Sequence, residues 1–265
     1  PIRFFQYAGE RQVSKDVLLT FPVFEKSFNS FKLKTAEGVV HKGEVMAVMG
    51  ANGLGKSTFL NILAGMLKPD SGKIDKLNIA YKVQYPSSNV NGTVQEILTK
   101  YAKDKFTSGW FRQNILEKLS LSKILDNEVK SLSGGELQKL YIALTLSQDC
   151  EIYALDEPSA FIDVEDRLTV AQVIKDFVIK NEVSAIVVDH DVQFIDYIGD
   201  SMLVFEGKPG SEGNVYGPLI KTEGMNRVLK MLDITYRMDK ETKRPRINKP
   251  GSQLDQQQRS KGEYY

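Results

Sequence analysis

Residues 45–57 read Val-Met-Ala-Val-Met-Gly-Ala-Asn-Gly-Leu-Gly-Lys-Ser, and this stretch decides the fold. Residues 45–49 are all apolar, as is typical of a buried parallel strand. Residues 50–57 follow the pattern of a phosphate-binding loop, whose glycines let the backbone come close to a phosphate. Apolar residues then recur at helical spacing from Phe59 to Leu67. The order strand, loop, helix predicts an α/β protein in which a helix N-terminus points at bound phosphate.

Different groups of the loop are predicted to bind different parts of the nucleotide. Backbone N–H groups cradle the β-phosphate, and the ammonium group of Lys56 reaches the β- and γ-phosphates. The hydroxyl group of Ser57 ligates Mg²⁺, so we expect ATP and Mg²⁺ as cofactors. The loop residues predicted to bind the nucleotide are Asn52, Gly53, Gly55, Lys56, Ser57 and Thr58.

Two further buried-strand patterns end in polar residues. Residues 152–157 read Ile-Tyr-Ala-Leu-Asp-Glu, and ligands bind at the C-terminal edge of strands in open α/β sheets. We expect Asp156 to hold Mg²⁺ through water and Glu157 to polarise the attacking water. Residues 184–191 read Ser-Ala-Ile-Val-Val-Asp-His-Asp, and His190 is placed to contact the γ-phosphate and orient that water. The other histidine, His41, is interpreted as a surface residue.

A glycine pair opens a predicted helix later in the chain. Residues 132–136 read Leu-Ser-Gly-Gly-Glu, and apolar residues at helical spacing follow from Leu137 to Leu144. The N–H groups and the dipole of such a helix suit a γ-phosphate. Taken alone, the pattern is also that of an ordinary helix N-cap.

In their order along the chain, these motifs resemble those of the ABC ATPases. Residues 50–57 look like the Walker A motif and residues 152–157 like Walker B. Gln84 looks like the Q-loop glutamine, residues 159–163 like the D-loop, and His190 like the switch histidine. The resemblance implies a P-loop fold with a mainly parallel sheet flanked by helices, an antiparallel β portion, a helical lobe and a C-terminal hinge.

The resemblance also implies roles that the residues alone do not establish. Gln84 would contact Mg²⁺ and join Glu157 and His190 in catalysis, and Asp163 would lie near a partner domain. Phe21 would stack on the adenine ring, an interaction of about 1–3 kcal/mol. Four residues would bind the nucleotide of another ATPase domain as the signature motif: Ser133, Gly134, Gly135 and Glu136.

Several stretches narrow the resemblance to the ribosome-recycling ABC ATPases of archaea and eukaryotes, also called RNase L inhibitors. They are Asp156 to Ala160, Phe205 to Gly207, Arg244 to Lys249 and Ser252 to Asp255. The match covers about residues 20–265 and resembles the second, C-terminal ATPase domain of that family with part of its hinge. Ile162 replaces a more usual leucine and Asp189 a frequent glutamate, which puts only the fine tuning of hydrolysis in doubt.

This narrower resemblance implies an ATP-hydrolysing half of a twin-ATPase clamp that closes on ATP to split and recycle ribosomal subunits in the cytoplasm. The expected partners are a first ATPase domain of the same longer protein or a second copy, together with a ribosomal subunit and a release factor. That family carries two iron–sulfur clusters on eight cysteines, whereas this chain has only Cys150. We therefore expect no cluster in this chain, a weak ATPase when it is alone, and a fragment or a half of a longer protein.

Three other classes of protein compete with this interpretation. An ATP-binding subunit of an ABC membrane transporter is the main alternative, although transporters commonly have glutamine where Glu136 stands. A DNA-repair or chromosome-clamp head would need a long coiled coil between Ser57 and Ser133, and the spacing leaves no room for one. A module that binds nucleotide without hydrolysing it is disfavoured by the presence of Glu157 and His190.

The charge of the chain is balanced overall but uneven along its length. A formal net charge of +1 predicts no global attraction to nucleic acid, and no apolar run approaches the roughly 18–20 residues that span a bilayer. Residues 240–261, however, hold seven bases and two acids, a local balance of 7 − 2 = +5. This tail either contacts rRNA phosphates or packs on its own protein as a hinge strap.

The predicted organisation places the nucleotide-binding motifs in a split core. Residues 1–19 form a linker or hinge entry, residues 20–93 and 132–223 the ABC ATPase core, residues 94–131 a helical lobe, and residues 224–265 the C-terminal hinge tail.

Overall fold

The computed structural model describes residues 14–74, 77–84, 86–241 and 245–265. Its strands are β1 Val17–Phe21, β2 Glu25–Phe28, β3 Phe31–Lys34, β4 Gly38–His41, β5 Val45–Met49, β6 Ile79–Lys82, β7 Ile152–Asp156, β8 Ser184–Val188, β9 Ser201–Lys208, β10 Glu212–Ile220, β11 Tyr236–Met238 and β12 Pro245–Ile247. Its α-helices are α1 Lys56–Leu63, α2 Val94–Ala102, α3 Asp104–Thr107, α4 Gly109–Phe111, α5 Gly134–Leu146, α6 Val164–Asn181, α7 Val192–Ile198, α8 Lys221–Met231 and α9 Gln253–Lys261.

A parallel sheet forms the centre of the molecule. Among the described residues, eight strands follow the order β2-β3-β10-β9-β5-β8-β7-β6, and the five from β9 to β6 run parallel. Every residue of β5, β7 and β8 is buried, as their apolar sequences predicted. The predicted α/β class with a mainly parallel sheet is thus confirmed.

Two hydrophobic layers cover the opposite faces of this sheet. Along β5, Val45 and Ala47 face one layer while Met46 and Val48 face the other, because successive side chains of a strand alternate. The first layer includes apolar residues of α2, α5, α6 and α7, and the second includes those of α1. Helices on both faces therefore fix the C-terminal edge of the sheet, where the polar motif residues follow the strands.

The antiparallel strands lie at the other side of the sheet. β2 pairs with β3 and β10 pairs with β9 in antiparallel fashion, while β1 and β4 form a separate antiparallel pair. Because β1 starts at Val17, the paired region begins before residue 20, the boundary expected from sequence. Residues 1–13 of the expected linker lie outside the described part of the chain.

The region between β6 and α5 is built from short helices. Helices α2, α3 and α4 are followed by a π-helical segment, Arg112–Leu116. Two 3₁₀ turns come next, Leu121–Lys123 and Val129–Ser131. Thr93 and Glu96 cap α2 reciprocally, which satisfies backbone N–H groups at its start. The apolar residues Val94 and Leu98 of α2 are fully buried, so this helix packs on the core through the face that their spacing predicted.

The C-terminal tail packs against its own domain. The hydroxyl group of Tyr265 donates to Asp196 of α7 at 2.5 Å, and the backbone N–H of Tyr264 donates to Asn226 of α8 at 2.7 Å. Two of its arginines are ion-paired within the chain, Arg246 with Asp239 and Arg259 with Asp255. The tail bases Lys243 and Arg244 lie outside the described residues. Within the described ranges, no helix is both long and apolar enough to cross a membrane.

Candidate nucleotide-binding and hydrolysis site

The phosphate-binding loop connects β5 to α1 in the arrangement that the sequence predicted. Gly55 caps α1 with φ of 93°, a left-handed conformation that favours glycine. A Cβ on Gly50 would lie 2.7 Å from the carbonyl oxygen of Phe205, so β9 leaves room only for glycine there. Gly53 accepts a hydrogen bond from Gly210 N at 2.9 Å, which fixes the loop against the turn between β9 and β10.

Lys56 points back into this loop. Its ammonium group donates to the carbonyl oxygen of Gly50 and, at 3.2 Å, to that of Ala51. The residue is 6% exposed, and burial lowers the pKa of Lys56 to about 8. A buried cation surrounded by loop carbonyls is well placed to pair with the charge of a polyphosphate.

Ser57 and Asp156 meet at the edge of the sheet. The hydroxyl group of Ser57 donates to Asp156 Oδ2 at 2.7 Å, although 99 positions separate the residues. Asp156 is 1% exposed, and burial raises the pKa of its carboxyl group. Its Oδ1 atom is buried and has no hydrogen-bond partner in the described part of the chain. This orphaned acceptor beside a hydroxyl group fits Mg²⁺, which prefers oxygen ligands.

The protein supplies few ligands for such an ion. In the described ranges, no group of three or more His, Cys, Asp or Glu residues could hold a metal ion. Mg²⁺ commonly keeps several waters and is bound through one or two protein carboxylates plus substrate phosphates, so a small protein donor set agrees with it. Gln84 follows the end of β6, which pairs with β7 in parallel, and therefore lies at the same sheet edge as Asp156.

Glu157 and His190 follow the ends of neighbouring parallel strands. His190 Nε2 lies 2.8 Å from Glu157 Oε1. Glu157 has φ of 52°, and its N–H donates to the carbonyl oxygen of Val188 at 2.7 Å. A cavity of about 290 Å³ opens beside the pair. Its lining residues are Glu157, Ser159, Ala160, Arg167, Asp189, His190 and Asp191.

Asp189 joins the D-loop to the loop that carries His190. Its carboxylate accepts hydrogen bonds from Ser159 N at 2.9 Å, from Ser159 Oγ at 2.6 Å and from Asp191 N at 3.0 Å. Burial raises the pKa of Asp189, while these hydrogen bonds oppose that shift. The sequence marked this residue only as a departure from glutamate, whereas the structure makes it the link between two loops of the site.

Lys82 is a site residue that the sequence did not single out. Its buried ammonium group donates to the carbonyl oxygen of Asp156 at 2.8 Å and to that of Val83 at 2.9 Å. Burial lowers the pKa of Lys82 to about 8. Lys82 therefore ties the end of β7 to the segment that leads into Gln84. A lysine within the otherwise apolar strand β6 was the available signal.

The signature residues contact the D-loop of the same chain. Ser133 caps α5, and the Glu136 carboxylate accepts a hydrogen bond from Ser133 N at 2.9 Å, so Glu136 completes a capping box. A Cβ on Gly135 would lie 2.8 Å from the carbonyl oxygen of Phe161. Ser133 and Gly134 are exposed, as is Asp163, the residue expected near a partner domain.

Phe21 does not lie where an adenine ring could stack on it. The residue is 0% exposed, and its ring packs edge-on against Phe59 at a centroid distance of 5.8 Å. Phe24, the nearest other aromatic, is equally buried and stacks on Phe59. The structure therefore does not support the prediction that Phe21 binds adenine, because Leu19 and Phe21 of β1 belong to a closed hydrophobic layer and leave no exposed ring face.

Comparisons with known sequences place these motifs in a family. A family model described as ABC transporter matches residues 33–160. An uncharacterized ABC transporter ATP-binding protein of Methanocaldococcus jannaschii is 44% identical over 268 residues, covering 100% of this chain and 44% of that protein. Translation initiation factor RLI1 of Saccharomyces cerevisiae is 39% identical, covering 93% of this chain and 41% of that protein. The chain thus spans less than half the length of these two relatives.

A shorter relative is matched over most of its own length. ABC transporter E family member 3 of Arabidopsis thaliana is 32% identical over 162 residues, which cover 58% of this chain and 90% of that protein.

Solved structures show the same relationship. RNase-L Inhibitor is 46% identical with a TM-score of 0.91, covering 96% of this chain and 50% of that chain. The archaeal ribosome recycling factor aABCE1, in complex with ribosomal stalk protein aP1, is 45% identical with a TM-score of 0.93, covering 99% and 51%. A chain in a model of ribosome-bound archaeal Pelota and ABCE1 is 44% identical with a TM-score of 0.94. The match covers 100% of this chain and 45% of that chain. The chain therefore belongs to the ABC ATPases, and its close homologues within that family are RNase L inhibitor and the other E-family proteins.

Proposed function

We propose that this chain is one ATP-hydrolysing half of a twin-ATPase clamp that closes on ATP and thereby splits and recycles ribosomal subunits. The observation that carries the proposal is the 2.8 Å contact between Glu157 and His190 beside the Ser57–Asp156 pair. Hydrolysis needs a nucleotide site and a polarised water, and the closeness of these four side chains supports both roles at one edge of the sheet.

Each residue has a defined part in this mechanism. Lys56 would pair with the β- and γ-phosphates, while Ser57, Asp156 and Gln84 would hold Mg²⁺ directly or through water. When bound, Mg²⁺ neutralises charge that develops on the transferred phosphoryl group. Glu157 polarises the attacking water, and His190 orients the Glu157 carboxylate.

The site is completed by a second ATPase domain. Ser133 and Gly134 are exposed at the start of α5, where backbone N–H groups and the helix dipole favour an anion. In our proposal they bind the γ-phosphate held by a partner, and the partner's signature motif binds the one held here. The proposed partner is a first ATPase domain of the same longer protein, or a second copy. The chain spans 44% and 41% of the length of two relatives, which leaves room for such a domain in them.

The ribosome is the proposed target because of what the relatives are named for. One homologue is a translation initiation factor, one is a ribosome recycling factor bound to a stalk protein, and one is bound to the ribosome with Pelota. We extend these associations to this chain, with a cytoplasmic location and a release factor as further partner. Any contact of the tail with rRNA would use its exposed lysines Lys240, Lys249 and Lys261.

Two measurements test this function. The ATPase rate per chain should rise with concentration or on addition of the partner domain, because each site needs a facing signature motif. The assembled protein should also convert intact ribosomes into subunits on a sucrose gradient in the presence of ATP. A high rate that is independent of concentration, from a demonstrated monomer, would contradict the composite site. ATP-dependent activity only in the presence of membranes would favour a transporter subunit instead.

A further inference from the structure

We propose that Gln138 is a positioning residue that holds Glu157 from the signature helix, so that the nucleotide bound by a partner influences hydrolysis at this chain's own site. The inference rests on the proposed function and adds to it a route between the two sites. Gln138 lies on α5, one turn after the glycines that open this helix.

The contact between Gln138 and Glu157 is direct. Gln138 is 0% exposed, and its Nε2 atom donates to the carbonyl oxygen of Glu157 at 2.6 Å. Its Oε1 atom is buried without a hydrogen-bond partner among the described residues. Exchanging the two amide atoms would set an oxygen against the Glu157 carbonyl, so the donor assignment follows from the contact itself. Burying an amide that makes only this bond among the described residues costs free energy, which indicates that the bond to Glu157 matters.

Glu157 needs external support for its backbone. Its φ of 52° lies in the left-handed region, which is uncommon for residues other than glycine. Val188 accepts from its N–H, and its carbonyl oxygen accepts from Gln138 Nε2 at 2.6 Å and from Ala160 N at 3.1 Å, so both polar backbone groups are held. The direction of the carboxylate toward His190 follows from this backbone conformation. Loss of the Gln138 bond would therefore leave the carbonyl oxygen of Glu157 with only the longer bond from Ala160, which lies in the same loop.

The signature helix connects this bond to the partner-facing surface. Its first turn contacts the D-loop, because a Cβ on Gly135 would lie 2.8 Å from the carbonyl oxygen of Phe161. Its second turn carries Gln138 and also Lys139, which pairs with Asp166 of α6 at 2.9 Å. A helix moves as a rigid element, so a shift of its N-terminus on binding a phosphate also shifts Gln138 relative to Glu157.

The first test separates catalysis from binding. Gln138→Met removes the donor and keeps the length of the side chain, so Mg-ATP affinity should stay within about twofold while kcat falls about tenfold to a hundredfold in the assembled protein. Gln148→Met is the matched control. Gln148 lies just beyond the C-terminal end of the same helix, and its Nε2 atom donates to the carbonyl oxygens of Leu144 and Tyr101. Its kcat should stay within about twofold of wild type.

A second variant keeps the test valid if the methionine disturbs packing. Gln138→Leu removes both polar atoms of the amide and cannot donate to the Glu157 carbonyl, so kcat should fall at least as far. Melting temperatures are measured alongside. Equal losses of melting temperature with an unchanged kcat in both Gln138 variants would show a merely structural role and overturn the proposal.

A double-mutant cycle tests the coupling itself. The partner domain's own catalytic glutamate is replaced, so that only this chain's site turns over. Gly135→Ala should then lower turnover here, and the same substitution should add little in a Gln138→Met background, because both act on one path. If the double variant lost turnover by the product of the two single losses, the proposed coupling between Gly135 and Gln138 would be overturned. If the wild type hydrolysed ATP and the Gln138 variants did so at the same rate, the role of Gln138 would be overturned and the proposed function would stand. If the wild type did not hydrolyse ATP, the proposed function and the role of Gln138 would both be overturned.

Discussion

His190 Nε2 lies 2.8 Å from Glu157 Oε1, and this contact joins two loops that follow adjacent parallel strands. The pairing of Asp156 with Val188 sets the register of β7 and β8, so the residues after each strand emerge side by side. The contact therefore depends on strand order as well as on residue type, and it places a carboxylate and an imidazole side by side near the phosphate-binding loop.

Glu157→Gln should retain Mg-ATP binding and lose most hydrolysis. The substitution preserves shape but removes the carboxylate that we propose polarises water, and loss of a positioned base typically costs about 10²–10⁴ in rate. Single-turnover hydrolysis with the partner domain present, together with a nucleotide titration, measures both properties. Near-normal turnover would remove Glu157 from the mechanism.

His190→Ala should lower kcat more than it lowers ATP affinity, because the Glu157 carboxylate would lose the group that orients it. His41→Ala is the matched control, since His41 contacts Glu44 at 3.0 Å, within the region around β4 and β5, and no motif includes it. Steady-state kinetics of both variants are compared. Equal effects of the two substitutions would argue against a specific role of His190.

Ser57→Ala should abolish most of the gain in ATP affinity that Mg²⁺ provides. The hydroxyl group that meets Asp156 Oδ2 at 2.7 Å would be absent, whereas Lys56 would still pair with the phosphates. Titrations with Mg²⁺ and with a chelator give the two affinities, and only the first should weaken. If the Mg²⁺ effect survived in full, Ser57 would not be a ligand of the ion.

Phe21→Ala should destabilise the fold without changing nucleotide affinity. A buried phenylalanine truncated to alanine typically costs about 3–5 kcal/mol of unfolding free energy, and the Phe21 ring fills the space between Gly38 and Phe59. Urea unfolding and an ATP titration under folding conditions measure the two quantities. Phe28→Ala is the control, since Phe28 is 40% exposed. A selective loss of ATP affinity would restore the adenine-stacking role.

The sequence by itself determined the parallel sheet, the phosphate-binding loop and the position of the acidic residues at the sheet edge. These features are local: an apolar run defines a buried strand, and a glycine-rich loop before an apolar helix defines an anion site. Ser57, Asp156, Glu157 and His190 could therefore be chosen without coordinates, because each is attached to a pattern within a few residues of it.

Only the tertiary structure decided which polar side chains support those residues and which aromatic rings are buried. Gln138 reaches Glu157 across 19 positions, and Lys82 reaches Asp156 across 74. The family resemblance implies an adenine-stacking role for Phe21, but the packing of β1 against Phe59 of α1 buries it. Such contacts depend on how whole elements pack, and a single side chain carries no local signal of what will lie opposite it.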